Sequence, residues 1–168
     1  MTDFDEALRA RLARNDEMAA ARRAADDELD RLLEERRLEA ERAEAELLAS
    51  RSARHAELVT HVTSLADGLR HGAPGAFVIR LGWAAAGSGD FLAKLATRTL
   101  EPARSLFIEL DRDDDEVLVR WSSDVGSSLE LWRVLEVTPD LLTELVLQVA
   151  DDALWAGRSG PPAFPQPG

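Results

Sequence analysis

MTDFDEALRARLARNDEMAAARRAADDELDRLLEERRLEAERAEAELLAS (residues 1–50) continues to Arg70 without a proline, and the only glycine in those seventy residues is Gly68. Ala, Arg, Glu, Asp and Leu make up nearly all of it, and all of these but Asp are strong helix formers. The stretch predicts a single long α-helix, on the order of 100 Å at ~1.5 Å per residue. A chain of 168 residues cannot bury a rod of that length within itself. Such a rod pairs with another helix, presents itself to a partner, or stands in water.

The rod has an interrupted seam. Steps of four and three from Leu8 reach Leu12, then cross Asn15, Ala19, Arg22 and Asp26 before meeting Leu29 and Leu33. Beyond Arg36 they touch Ala40, Ala43 and Leu47. A tight zipper keeps nearly all such positions apolar, so this is a weak coiled coil, open to a parallel, antiparallel or heterotypic partner. The rest of the surface is charged. Glu28/Arg31 and Glu34/Arg37 are spaced i,i+3, and Asp5/Arg9 and Asp27/Arg31 i,i+4, each pair worth ~0.2–0.5 kcal/mol to a helix. From Leu58 the charge thins into a denser stripe of Leu58, Val62, Leu65 and Leu69. Residues 56–70 are therefore expected to dock on the domain that follows, with the helix stopping at Gly68 or Gly72 ahead of Pro74.

Residues 75–157 read as a small α+β domain. Ala76–Trp83 alternates as a strand, and so do Ser105–Leu110, Glu116–Trp121 and Ser128–Val137. Short polar connections make these an antiparallel meander with one buried face. Asp90 to about Leu100 is read as a short helix, narrowly ahead of a strand. Thr138-Pro139-Asp140 opens a C-terminal helix with Thr as N-cap and Pro in the first turn. That helix is apolar over most of its surface as far as Trp155, which suits burial against the sheet or against a second subunit. Trp132 and Val134 fall opposite the main apolar face of the last strand. With Leu8, Leu12, Leu29, Leu33 and Leu47 of the rod, Trp132, Val134 and Trp155 are the candidate partner or oligomer interface. The tail, 158–168, holds four of the seven prolines and reads as extended and mobile.

Charge narrows the function. Residues 1–70 carry 12 Arg against 17 acids and residues 71–168 carry 8 Lys+Arg against 15 acids, for a total of −12. Neither half has the clustered cations that phosphate backbones require, so no nucleic-acid partner is expected. No apolar run approaches the ~20 residues that span a bilayer, and MTDFDE has no apolar leader core. These features suggest a bacterial, cytoplasmic protein. With no cysteine, thiolate chemistry and Cys-based zinc sites are absent.

The remaining motifs fall short of chemistry. Gly82-x4-Gly87 has the spacing of a phosphate loop, but Ser88-Gly89 stands where that motif needs Lys-Ser/Thr. Asp111–Glu116 opens like a calcium loop, yet Glu116 occupies the glycine position and Ser122 that of the bidentate Glu. His55, His61 and His71 lack the i,i+4 spacing of a metal pair. Pro162-Ala-Phe-Pro165 matches the Pro-x-x-Pro spacing read by aromatic grooves. No catalytic residue, metal or cofactor is assigned. The expectation is a non-enzymatic, self-associating scaffold or adaptor, with a chaperone or accessory factor for one client protein as the alternative.

Overall fold

The computed structural model of the protein describes residues 2–168. Its elements are helix α1 (Asp3–Gly72), strands β1 (Phe77–Trp83), β2 (Asp90–Thr97), β3 (Arg104–Asp111), β4 (Glu116–Ser123) and β5 (Gly126–Trp132), then helices α2 (Pro139–Ala150) and α3 (Asp152–Trp155). A single 3-10 turn, Val134–Glu136, lies between β5 and α2. By internal contacts the chain divides within α1 into Met1–Leu47 and Leu48–Gly168. The break thus falls earlier than the 70/75 boundary that composition suggests, because the last turns of α1 are built into the second unit. The α+β reading holds, while coiled-coil pairing is a property one chain does not display.

The five strands form one antiparallel sheet in sequence order. Their register aligns three rows of side chains on the inner face. Leu95, Leu106 and Trp121 form one row, Ala93, Ile108 and Val119 the next, and Phe91, Leu110, Val117 and Trp132 the third. All of these residues are buried. Leu58 and Val62 of α1 and Leu142, Leu145 and Val149 of α2 complete the cluster, so both helices cover this one face. Each fully buried Leu or Val stabilises the fold by roughly 1.5–3 kcal/mol over its exposed state.

Segment 90–97 is a strand, not a helix. Its inward residues Phe91, Ala93 and Leu95 alternate, and it bonds to β1 on one side and β3 on the other. Two ladders of tertiary hydrogen bonds outweigh a modest local helix preference. The Gly82–Gly87 segment accordingly leads into a strand, where a phosphate loop would open a helix.

Local chemistry sets the ends of the elements. Gly75, at φ 77°, takes the left-handed conformation that lets the chain reverse after α1. The hydroxyl of Thr138 accepts from the Leu141 N–H at 3.3 Å, as an N-cap should. Instead of continuing to Gly157, that helix breaks at Asp151, whose carboxylate caps α3 by accepting from the Leu154 N–H at 3.1 Å.

Candidate interaction surfaces

Within residues 2–47 every side chain but Ala19 is exposed. Leu8, Leu12, Leu29, Leu33 and Leu47 are each 43–55% accessible. At 3.6 residues per turn they share roughly one third of the helix circumference with Phe4 and Met18. Charges pair along the same helix. Arg31 bridges Glu28 at 2.5 Å and Glu35 at 2.6 Å, and Arg37 bridges Glu34 and Glu41 at the same distances. Hydrogen bonds from these guanidiniums hold Glu28 and Glu34 below the usual carboxylate range. Arg31 pairs with Glu28 and Glu35, not with Asp27.

Three of the candidate interface residues lie in the core. Trp132 and Val134 are buried, and so is Trp155, which packs edge-on against Trp121 with ring centres 5.1 Å apart and donates its Nε1–H to the Gln148 carbonyl at 2.9 Å. The face assigned to the last strand is therefore inverted. Trp132 points inward beside Val117, while Leu129 and Leu131 face out. Val134 belongs to the 3-10 turn, where strand alternation no longer applies. Nor is the proline-rich tail detached: Phe164 is buried, parallel to Trp121 at 5.8 Å and edge-on to Trp132 at 6.4 Å. Pro162 is buried too, so the Pro-x-x-Pro segment does not stand free.

The outer face of the sheet is open. One row across it reads Arg80, Lys94, Phe107, Arg120 and Leu129, and the next reads Gly82, Leu92, Glu109, Leu118 and Leu131. Arg120 lies over the Phe107 ring at 5.1 Å. A shallow depression of about 250 Å³ runs between β1 and β3, with Trp83, Leu92, Lys94 and Phe107 in its lining. Three cations and several apolar side chains thus share one surface of an otherwise acidic chain. No short-range sequence pattern shows this, because the row exists only once five strands are aligned.

Beside that row three acids converge. Asp90, Glu109 and Asp111 bring carboxylate oxygens within 4.8 Å of one another. Burial, then the hydrogen bond with Asp90 and the charges of Asp90, Asp111 and Glu116, push Glu109 up to about 7. Protonation of one member relieves the repulsion of three carboxylates in one place.

Other polar groups hold the fold. Asp111 accepts from the backbone N–H groups of Asp113 and Asp114, each at 3.1 Å, so the calcium-like run is a capped β3–β4 hairpin tip. Asp115, at φ 53°, meets Arg51 at 3.2 Å and accepts from the Val134 N–H at 3.1 Å. These contacts border a groove of about 610 Å³ lined by Arg51, Asp113–Glu116, Arg133 and Glu136. Arg104, unremarkable in sequence, is buried. It donates to the carbonyl of Val149 at 2.9 Å and of Pro102 at 3.1 Å, and to Asp152 at 2.7 Å. His55 is buried as well, 2.8 Å from the carbonyl of Leu110; a carbonyl only accepts, so Nε2 carries the proton. Arg54 donates to the Val137 carbonyl at 2.7 Å.

No family model matches the chain, and neither a curated protein nor a solved structure is similar to it. Among the described residues no helix is long and apolar enough to cross a membrane.

Proposed function

We propose that the protein is a non-enzymatic, self-associating scaffold or adaptor of the bacterial cytoplasm. Residues 3–47 are the pairing element, and the open face of the sheet receives another protein. The observation that carries this reading is the bare stripe of Leu8, Leu12, Leu29, Leu33 and Leu47 on a helical segment whose side chains are almost all exposed. A lone helix is marginal in water and gains stability by covering an apolar face. Light scattering on a sizing column tests it. The full chain runs as a dimer, and a Leu8→Glu/Leu12→Glu/Leu29→Glu/Leu33→Glu variant runs as a monomer. A full chain that stays monomeric at roughly tens of micromolar overturns the proposal.

A second reading, an accessory factor for one client protein, is favoured by the Arg80–Lys94–Phe107–Arg120 row. Cations and an aromatic side by side on an acidic protein suit a client segment that is itself acidic and apolar. The supporting result is co-purification with one stoichiometric client, lost when Lys94 and Arg120 are both changed to Glu. Retention of the client by that variant removes the sheet face from the account.

A further inference from the structure

We infer that residues 3–38 pair with the same residues of a second copy in antiparallel orientation, with Leu8 facing Leu33 and Leu12 facing Leu29 of the other chain. This deepens the self-association proposed above and rests on it. The first support is spacing. The two leucine pairs share one i,i+4 separation and sit at opposite ends of this segment. An antiparallel pair therefore brings every one of these leucines against a leucine, and its two-fold symmetry closes the assembly at two chains.

The positions between the leucines decide the orientation. In a parallel, in-register pair each seam residue meets its own copy. Arg22 would then face Arg22, Asp26 would face Asp26 and Arg36 would face Arg36, with like charges at the centre of the contact. Reversing one helix in the stated register places Arg22 against Ala19, Asp26 against Asn15 and Arg36 against Asp5. These like-charge contacts give way to an opposite-charge pair, Arg36 with Asp5, and to two layers, Arg22 with Ala19 and Asp26 with Asn15, that each carry a single charge with no like charge opposite. A parallel pair staggered by 21 residues would also join leucines, but it leaves half of them bare and does not close.

The flanking residues agree. Along one edge of the antiparallel seam Arg9 lies beside Asp30, and Asp16 beside Arg23. Along the other edge Met18 lies beside Ala25, extending the apolar strip. The distribution of charge has the same sense. Residues 3–15 hold three Arg and three acids, whereas 26–38, which face them in the antiparallel register, hold three Arg and six acids. Parallel pairing stacks the two acidic halves on each other, and antiparallel pairing sets each against a balanced half. The ion pairs of Arg31 and Arg37 lie within their own helix.

The chain contains no cysteine, so single cysteines report the register in the full-length protein. Leu8→Cys and Leu33→Cys chains are mixed, oxidised in air and run on a non-reducing gel. Leu38→Cys, on the back of the helix, measures random collision. The expected result is a cross-linked band from the mixture well above either variant alone and above the Leu38→Cys control. Efficient cross-linking of Leu8→Cys with itself means a parallel pair and overturns the orientation, although self-association stands. A dimer by light scattering with no cross-link above the control overturns the register. A monomer overturns the self-association beneath it.

Charge exchange gives an independent check. Arg23→Glu weakens the dimer by about tenfold, since each contact occurs twice, and adding Asp16→Arg to the same chain restores it. Failure of that rescue removes the proposed edge pairing.

Discussion

At the level of single residues, the two strongest expectations concern Glu109 and Arg104. Glu109 titrates near 7 in the folded protein, against an ordinary carboxyl value near 4.3 when unfolded. Between those values the folded state holds more protons than the unfolded one, so stability falls as pH rises through this window. Glu109→Gln removes the effect. The variant matches the parent near pH 4 and exceeds it at pH 8 by about 1 kcal/mol or less, because solvent screens a group at the sheet surface. Urea unfolding at the two pH values measures this, and an equal gain at both would show that charge is not the cause. Arg104 joins β3 to the Val149 carbonyl near the end of α2 and to Asp152, and lies over Trp155 at 5.4 Å. Arg104→Ala leaves the Val149 carbonyl buried without this donor, removes the contact with the Trp155 ring, and costs about 2 kcal/mol. Arg104→Lys, a point charge that cannot match the planar fork, recovers less than half of that.

Elements differ in how far their sequence announced them. The long helix was legible from composition alone, and β1, β3 and β4 from alternation, because each buries its apolar side chains on one side only. β2 was not, since Thr97-Arg98-Thr99 and the helix-forming Leu92–Ala96 pull in opposite directions until β1 and β3 supply partners on both edges. β5 was misfaced because Leu129, Leu131, Leu135 and Val137 alternate as if they belonged to one strand. The strand ends at Trp132 and a 3-10 turn follows, so the run changes face midway. The exposed leucines of the helix were readable one by one. The cationic row across the outer sheet and the acids at Asp90, Glu109 and Asp111 were not, since strand register is what assembles them. The tail yields a prediction of its own. Phe164→Ala removes a ring from between Trp121 and Trp132 and costs about 3 kcal/mol. Denaturant unfolding measures it, and a loss below about 1 kcal/mol would mean that the segment merely rests on the surface.

For the molecule as a whole, the four tryptophans, Trp83, Trp121, Trp132 and Trp155, all lie in the Leu48–Gly168 unit, and there is no tyrosine in the chain. Residues 3–47 are helical and optically silent in emission. Far-ultraviolet circular dichroism therefore reports mainly on helix, whereas tryptophan fluorescence reports only on the sheet domain. Two probes that normally coincide in a single cooperative domain are separated here by where the indoles sit. On heating a dilute sample, ellipticity is expected to decline before the emission maximum shifts. Raising the protein concentration should bring the first transition toward the second, by mass action on the self-association proposed above. Superimposable curves at every concentration would mean that the two units melt as one. The tryptophan-free segment thus lets an ordinary spectrometer test the proposed chain pairing without any added dye.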